Sequence, residues 1–393
     1  MNGLIRVRGE GWLKGSHSFS LVYRLQMQAL LQEDGLDLRH REMDALHPGQ
    51  HDGSDPDFSL GHPDRVKTLL DAEEAAPDVI YRLISPTNLA FNAGERLVSY
   101  LVTELGMGIT KLAEGGDDIR RFEAQGGVIH TPTRWSKQRL VHGGFKPEHV
   151  VVIPNGVNPS LYFPLHPQDI AAVRKHQGFS PEDVVLLNVG SPVWNKGLDV
   201  LVHCFARLRQ SHRNLYLILK DQSSVYGVGV KDYVQEILKP IAPSAQSIAL
   251  EGMRIIPSHL SFQGMRAVMN AADFYVSPYR AEGFNMPVLE AIACGTRPIV
   301  SAQGSTSDFC HPDNALFIEG ILQGPQRFQG RALDAFFEPN PDALMAMIQA
   351  LLHSDPAHRK LAKVERQKTI SQFHWGIAAK ALKALFVDMV ASR

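Results

Sequence analysis

Short apolar runs alternate with longer amphipathic stretches along most of the chain, and this alternation restricts the possible folds more than any other feature. In the second half, apolar runs at 184–189, 215–220 and 274–277 are separated by stretches long enough to form helices. Neighbouring parallel strands need such a crossover, whereas antiparallel strands need only a tight turn. The pattern therefore predicts an α/β fold with parallel sheets and a Rossmann-like arrangement in each half.

Several further elements are predicted from the same local patterns. They are a helix around 95–105, a strand at 248–250, an exposed loop over 47–64 and an amphipathic last stretch over 373–390 with Ile377 on its buried face.

The length of 393 residues and one proline-rich segment predict two domains. Residues 153–167, IPNGVNPSLYFPLHP, contain four prolines, two asparagines and one glycine directly after a β-type run. This composition suits a stiff connection better than a fold interior. We therefore expect one domain over 1–160 and a second over 161–372.

Composition and charge exclude several classes of protein. Hydrophobic residues make up 44% of the chain and charged residues 21%, which is typical of globular and not of disordered proteins. The 40 basic and 41 acidic side chains nearly cancel, so no overall field attracts nucleic acid. The three cysteines form no CxxC pair, which favours reduced thiols in the cytoplasm.

Neither a secretion signal nor an apolar run of membrane-spanning length is recognisable in the sequence. We expect a cytoplasmic protein, and peripheral contact with the inner face of the membrane stays open. The 17 histidines include no HExxH or zinc-ribbon spacing, and no GxSxG elbow is present. We therefore expect no metal, no bound cofactor and no serine nucleophile.

The segment SPYRAEGFNMPVLEAIACGTRPIV at 277–300 predicts a strand, a loop, a short helix and a second strand. A helix starting near Met286 directs its first N–H groups and its positive dipole end to the carboxyl ends of the strands, where phosphates bind. Glu282 precedes this helix and Glu290 lies about one turn inside it. Two carboxylates at this spacing can surround one polyhydroxylated ligand. The spacing alone leaves open that both are ordinary surface and helix charges.

A second segment, LLNVGSPVWNKGLDVL at 186–201, predicts a strand that runs into Gly190, then a loop with Lys196, then a helix. A lysine in such a loop can reach a diphosphate held at a neighbouring helix start. A solvated lysine is the alternative that the segment leaves open. The P-loop pattern GxxxxGK[ST] is absent.

A third segment, GEGWLKGSHSFS at 9–20, predicts a glycine-rich turn between the first strand and the first helix. Its glycines could let the backbone approach a ligand, or they could serve a plain tight turn. Gly15, Ser16 and His17 are the candidates for contact with a substrate here. For His17, a base, an acceptor contact and a solvent-facing side chain all stay open.

Four motifs, in this order along the chain, resemble those of the retaining GT-B glycosyltransferases of family 4, also called group 1. They are TPTRWSKQRLV at 131–141, VIPNGVNPSLYFP at 152–164, the E-x7-E pattern in EGFNMPVLEAIACGTRPIV at 282–300, and FHW at 373–375. The resemblance implies two Rossmann-like domains whose parallel sheets face across an interdomain cleft. It also implies that a terminal helix over 373–393 crosses back to the first domain.

The resemblance implies roles for individual residues of a donor site. Glu282 and Lys196 are the expected catalytic residues: Glu282 would bind a hydroxyl of the donor sugar and Lys196 would neutralise the leaving phosphate. Glu290 would bind the ribose. The other expected donor-binding residues are Gly190, Ser191, Gly283, Phe284, Asn285, Met286 and Lys220. Ser191 stands where the family usually has arginine, and Lys220 is the candidate for the missing diphosphate contact.

The function implied by the resemblance is metal-independent, retaining transfer of a sugar from a nucleotide-diphosphate sugar to a hydroxyl of an acceptor. The acceptor would be a glycan, a lipid-linked molecule or a small molecule, bound mainly by the first domain through Gly15, Ser16 and His17. Three alternatives stay open: a catalytically silent module that binds a nucleotide sugar or a partner, a sugar epimerase, and a phosphorylase of the same fold. Ser191, and the absence of histidine from RLISPTNLAF at 82–91, keep the silent module open.

Overall fold

The computed structural model describes residues 4–13, 17–43, 76–108, 110, 112–221, 229–256, 260–328, 330–355 and 359–392. The chain divides into two compact units. Unit 1 comprises Met1–Gly156, Gln326–Asp334 and Phe373–Arg393, and unit 2 comprises Val157–Pro325 and Ala335–Gln372. The boundary between Gly156 of unit 1 and Val157 of unit 2 therefore lies within the proline-rich run at 153–167.

Strands and helices alternate through most of the described residues. The strands are β1 (Ile5–Gly11), β2 (Leu36–Glu42), β3 (Val79–Arg82), β4 (Leu97–Tyr100), β5 (Val128–Thr131), β6 (Val150–Val152), β7 (Val184–Val189), β8 (Leu215–Lys220), β9 (Met253–Ile256), β10 (Phe274–Ser277), β11 (Arg297–Ser301), β12 (Leu316–Ile318), β13 (Gly320–Gln323), β14 (Gln326–Phe328), β15 (Arg331–Leu333) and β16 (Phe336–Pro339). The helices are α1 (Ser18–Leu30), α2 (Ile119–Ala124), α3 (Arg134–His142), α4 (Pro167–His176), α5 (Leu198–Arg209), α6 (Val230–Leu238), α7 (Pro243–Glu251), α8 (Phe262–Ala271), α9 (Met286–Ala293), α10 (Pro341–Leu352), α11 (Lys363–Gln372) and α12 (Trp375–Ala391).

Unit 1 contains a six-stranded parallel sheet in the order β2-β1-β3-β4-β5-β6. Helix α12, from the end of the chain, packs in this unit: the ring of Phe386 lies 5.9 Å from that of Tyr81 on β3. Tyr81 in turn donates a hydrogen bond to Gln26 of α1 over 2.5 Å. Aromatic and amide side chains therefore connect the first helix, the sheet and the last helix of this unit.

Unit 2 contains a second six-stranded parallel sheet, in the order β12-β11-β10-β7-β8-β9. The central strand β7 reads VVLLNV and is buried along its whole length, as expected for a parallel strand covered on both faces. Its core includes Leu186, Phe205 of α5 and Ile348 of α10. The expected fold class, α/β with two parallel sheets, is confirmed.

An antiparallel arm interrupts unit 2 after β12. Strands β13 and β16 pair with each other, and the hairpin β14–β15 follows between them in the sequence. Residues 326–334 belong to unit 1, where the amide of Asp334 donates to the carbonyl of Leu105 over 2.8 Å. The sequence analysis did not predict these antiparallel strands, nor that residues 326–334 belong to unit 1.

Several predicted elements were wrong. The stretch 95–105, predicted as a helix, contains strand β4 instead. Residues 248–250, predicted as a strand, lie in helix α7, and the strand follows at β9. Ile377, placed on the buried face of the last helix, is 40% exposed. The loop predicted over 47–64 lies outside the described residues.

Within the described ranges, no helix combines the length and the apolar character needed to cross a bilayer.

Candidate functional site

The candidate site of unit 2 lies at the carboxyl ends of β7 and β10, which pair directly although many residues separate them in the sequence. Counted from β7, the order of this sheet is that of a Rossmann fold, and β7 and β10 flank its switch point. Ligands of open α/β sheets bind in the crevice at this point. The loops that leave these two strands are 190–197 and 278–285.

Lys196 and Glu282 meet at this edge of the sheet. The ammonium nitrogen of Lys196 lies 2.6 Å from Oε2 of Glu282, and the side chains are 23% and 10% exposed. Gly197 follows Lys196 with φ of 68°, and a Cβ there would lie 1.8 Å from the carbonyl oxygen of Pro278. Only glycine therefore lets the two loops approach closely enough for this ion pair.

Helix α9 begins at Met286, next to the loop that carries Glu282. Asn285 precedes it with φ of 70° and does not cap the helix with its side chain. The amide Nδ2 of Asn285 instead donates to Oγ of Ser277 over 2.9 Å. The side chain of Asn285 therefore leaves this helix start uncapped. Pro287 has no N–H, and the amide of Val288 donates to the carbonyl of Asn285 over 3.1 Å, so an anion here would be met by the amides of Met286 and of the residues just before it.

The residues just before α9 are held in place by packing. Gly283, Phe284 and Asn285 are buried and Met286 is half-buried. The ring of Phe284 lies 5.0 Å from that of Phe309. This contact fixes the backbone whose amides are predicted to approach the sugar and the diphosphate.

Glu290 lies inside α9 and is 8% exposed. Burial raises the pKa of Glu290 to about 7, while a hydrogen bond from Tyr162 and the charge of Lys220 act in the opposite direction. Burial likewise lowers the pKa of Lys220, against the charges of Asp221 and Glu290. A carboxyl group, a phenol and an ammonium group therefore meet at this second point of the site.

The two carboxylates share one buried neighbour. Burial raises the pKa of Tyr275 on β10, and the charges of both Glu282 and Glu290 add to this effect. The hydroxyl of Tyr275 donates to the carbonyl of Val189, the last residue of β7, over 3.0 Å. Both glutamates are therefore brought to the end of the central strands.

Gly190 and Ser191 follow directly after β7. Among the described residues, a Cβ on Gly190 would meet no atom closer than Oδ1 of Asn188, at 4.0 Å. The packing of the described residues therefore does not require glycine here. Ser191 is 9% exposed, and it takes the position at which the resemblance described above implies arginine.

The predicted acceptor-side residues belong to unit 1. Gly15 and Ser16 lie outside the described residues. His17 is the N-cap of α1: its Nδ1 accepts a hydrogen bond from the amide of Ser20 over 3.2 Å. This contact gives His17 a local structural role, and its predicted contact with an acceptor stays a prediction.

The glycine-rich turn of unit 1 was predicted to begin at residue 9, but strand β1 continues to Gly11. Gly9 and Gly11 lie in strand β1, not in a loop. A Cβ on Gly9 would lie 2.5 Å from the hydroxyl oxygen of Tyr23, and one on Gly11 would lie 2.7 Å from the ring of Tyr23. These glycines make room for the protein's own tyrosine.

Sequence reasoning missed Tyr162, Tyr275 and Arg280. Tyr162 lies in the proline-rich run and Tyr275 in a buried strand, and neither carries a local signal of its partner. Arg280 lies two residues before Glu282, and this position was its only sequence signal.

One group of metal-ligand type occurs among the residues that the structure describes. Ligand atoms of His311, Asp313 and Glu365 lie within 4.8 Å of one another. Nζ of Lys368 lies 3.9 Å from Oε2 of Glu365 and offsets part of the negative charge. The group lies outside the loops 190–197 and 278–285.

Comparisons with known proteins agree with this architecture. A profile of the family described as "Glycosyl transferases group 1" matches residues 169–368, more than half of the chain. A mannosylfructose-phosphate synthase from Agrobacterium fabrum is 29% identical over 242 residues, which are 62% of this chain and 48% of that protein. A D-inositol 3-phosphate glycosyltransferase from Segniliparus rotundus is 25% identical over 252 residues, which are 61% of this chain and 52% of that protein. The chain thus spans about half the length of these curated relatives.

A solved structure shares the fold over nearly the whole chain. Anabaena HepE, in complex with UDP and glucose, superposes with a TM-score of 0.66 at 16% identity, covering 99% of this chain and 100% of that one.

Proposed function

The chain belongs to the group 1 glycosyl transferases, and from this premise we propose that it transfers a sugar from a nucleoside-diphosphate sugar to a hydroxyl group of an acceptor. The proposal includes retention of the anomeric configuration and catalysis without a metal ion. The acceptor is a glycan, a lipid-linked molecule or a small molecule. The proposed place of the reaction is the cytoplasm.

One observation carries the proposal: Lys196 and Glu282 lie on loops from the two strands at the switch point, with their charged atoms 2.6 Å apart. The start of α9 adds positive dipole character close to Glu282. Cationic and N–H groups can bind a diphosphate, and a carboxylate beside them can accept hydrogen bonds from the hydroxyl groups of the attached sugar. Among the described residues, no atom beyond the chain neighbours comes closer than 4.0 Å to a Cβ placed on Gly190, and this space supports a ligand that approaches the backbone there.

In the proposed reaction, breaking the anomeric C–O bond leaves negative charge on the departing diphosphate and positive charge on the sugar. Lys196 and the backbone amides that lead into α9 stabilise the diphosphate, and this preorganised charge lowers the barrier. Glu282 binds a donor-sugar hydroxyl and Glu290 binds the ribose hydroxyls, so both orient the donor. The acceptor hydroxyl attacks on the face that the diphosphate leaves, and the diphosphate oxygen takes its proton.

The first test asks whether the protein binds a donor fragment. We expect one of UDP, GDP and ADP to raise the unfolding temperature, since a ligand that binds only the folded state stabilises it by mass action. The matching sugar nucleotides, UDP-glucose, GDP-mannose and ADP-glucose, are then assayed for release of the diphosphate. If none of the diphosphates or sugar nucleotides binds or reacts, the proposal is wrong.

The second test removes the ammonium group. We expect Lys196→Ala to lower the rate of diphosphate release about 100- to 1000-fold, because it removes a charge that acts on the leaving group. Lys239→Ala is the matched control, since Lys239 also pairs with a glutamate, Glu236, but on the exposed surface of unit 2. Equal rates in the two variants would contradict the proposed role.

A further inference from the structure

We propose that Arg280 is a positioning residue of the donor site, which holds the loop of Lys196 against the loop of Glu282. The inference rests on the proposed function, and it adds a residue that neither the sequence motifs nor the comparisons single out. Arg280 lies on the loop after β10, and its side chain is 7% exposed.

The guanidinium group of Arg280 joins three separate elements. Nη1 and Nη2 donate to the two carboxylate oxygens of Asp199, each over 2.8 Å, and Nε donates to Oε2 of Glu338 over 2.9 Å. Nη1 also donates to the carbonyl of Trp194 over 2.8 Å. Asp199 lies in the first turn of α5 and Glu338 on β16, so both anchors belong to regular structure.

The main chain next to Arg280 repeats the same connection. The amides of Arg280 and Ala281 donate to the carbonyl of Asn195 over 2.8 and 3.2 Å. Nδ2 of Asn195 donates back to the carbonyl of Ala281 over 3.1 Å. The two loops are thus joined by hydrogen bonds in both directions.

These contacts end one residue away from the reacting groups. Lys196 follows Asn195, and Glu282 follows Ala281, so the joined backbone sets the distance between the ammonium and carboxylate groups. Because a displacement of about 1 Å in a catalytic group can reduce a rate about 100-fold, the position of the loops matters for the chemistry.

Only arginine offers the geometry that this position uses. Its planar fork can bind one carboxylate with two parallel hydrogen bonds and still donate through Nε, whereas lysine presents a single point of donation. The guanidinium carbon also lies 4.9 Å from the ring centre of Trp194. Burial alone would lower the pKa of Arg280, and the hydrogen bonds to Asp199 and Glu338 raise it overall, so the group stays charged.

The test compares the affinities of UDP, GDP and ADP with those of the matching monophosphates, in the full chain and well below its unfolding temperature. Lys196 is proposed to act on the diphosphate, so a displaced Lys196 weakens diphosphate binding more than monophosphate binding. We expect Arg280→Lys to reduce the preference for the diphosphate about tenfold or more. A loss of global stability alone does not change this ratio, because the protein is fully folded under these conditions.

Arg174→Lys is the matched control. Arg174 of unit 2 pairs with Asp273 over 3.0 Å, and its side chain is 13% exposed. Asp273 directly precedes β10 and therefore lies at the opposite end of the strand. We expect this variant to keep the diphosphate preference of the wild type.

A double-mutant cycle separates positioning from an independent contribution. In the Lys196→Ala background, Arg280→Lys should leave the diphosphate preference unchanged, because its effect passes through Lys196. An equal loss in both backgrounds, an equal loss in Arg174→Lys, or no loss in Arg280→Lys would each overturn the inference.

Glu338→Gln keeps the inference testable if Arg280→Lys does not fold. It weakens one anchor and leaves the paired bonds to Asp199, so we expect about a threefold loss of the preference. An unchanged preference in this variant would then overturn the inference. If the wild type binds none of the three diphosphates, it is the proposed function that fails, and this outcome is distinct from those above.

Discussion

Gly11 is the last residue of β1 in unit 1, and Gly190 directly follows β7 in unit 2, yet the two glycines have different surroundings. In unit 1, a Cβ on Gly11 would lie 2.7 Å from the ring of Tyr23. In unit 2, a Cβ on Gly190 would be at least 4.0 Å from any described side chain or backbone atom beyond its neighbours. Gly11 accommodates the side chain of Tyr23, whereas Gly190 leaves space that a ligand can occupy.

The comparison shows that a glycine at the end of a strand has no single meaning. Space over an exposed glycine is common, but Gly190 is half-buried. The space over it is informative because Lys196 and Glu282 lie on the loops around the same edge. In unit 1, the polar groups around Gly11 satisfy one another: Tyr23 is bonded to His40, and His40 to Glu42, each over 2.8 Å. We therefore expect a substitution at Gly11 to alter stability, and one at Gly190 to alter ligand binding.

The largest effect expected from this comparison is that of Gly11→Ala on stability. The new methyl group overlaps the buried ring of Tyr23, and overpacking of this kind costs about 2–3 kcal/mol of unfolding free energy. Denaturant unfolding measures it. Gly324→Ala is the control, because a Cβ there meets no described atom within 4 Å. A Gly11→Ala variant as stable as this control would remove the steric explanation for unit 1.

The next effect is that of Glu290→Gln, which should stabilise the protein at pH 8. The pKa of Glu290 rises from 4.5 to about 7 on folding. The folded state therefore favours the protonated form, and stability falls as pH rises through this window. Glutamine resembles the protonated acid, so we expect a gain of roughly 2 kcal/mol at pH 8 and little at pH 4.5.

The same substitution should weaken binding of the stabilising nucleoside diphosphate, because the amide loses one acceptor for the ribose hydroxyls. In the wild type, this affinity should fall about tenfold between pH 8 and pH 6 as Glu290 takes up a proton. Glu251→Gln is the control, since the Glu251 side chain is 67% exposed. If Glu290→Gln stabilises the protein but leaves its affinity for the nucleoside diphosphate unchanged, Glu290 does not contribute to binding.

Gly190→Ala tests the other side of the comparison. The added methyl group meets no described protein atom within van der Waals distance, so stability should stay the same or rise by up to about 1 kcal/mol. Affinity for the diphosphate should fall about tenfold if the ligand uses this space. Gly324→Ala serves again as the control, and calorimetric titration gives both affinities. Unchanged binding in both variants would mean that the space over Gly190 is not used.

The smallest expected effect is that of His17→Ala. Loss of the N-cap should cost about 1 kcal/mol, whereas His17→Asn keeps a capping oxygen and should cost much less. Thermal unfolding measures both. If the two variants lose stability equally, the capping role is wrong. If His17→Asn is stable but transfers sugar slowly, the predicted acceptor-side role gains support.

Most of the central strands were predictable because each is a short apolar run bounded by polar residues. Strands β7, β8 and β10 have the predicted bounds at 184–189, 215–220 and 274–277. The prediction was wrong where a short run fits two structures. Residues 97–100 are apolar enough for one turn of a buried helix or for a strand, and pairing with β3 and β5 decides for the strand.

The local geometry before α9 was also predictable. Pro287 suits the first turn of a helix, and the helix begins at Met286. The contacts around these residues could not be predicted from the sequence. Tyr162, in the proline-rich run, donates a hydrogen bond to Glu290, and Arg280 pairs with both Asp199 of α5 and Glu338 of β16. Neither pairing leaves a periodic signal in the sequence.

The sequence by itself determined the central strands β7, β8 and β10 and the helix start at Met286, and it marked Glu282, Glu290 and Lys196, because apolar runs and loop residues act locally. Only the tertiary structure decided that β7 lies beside β10, and therefore that Lys196 meets Glu282. The order of strands in a parallel sheet depends on backbone hydrogen bonds and packing between distant segments. The amino acids within one strand do not specify its neighbour.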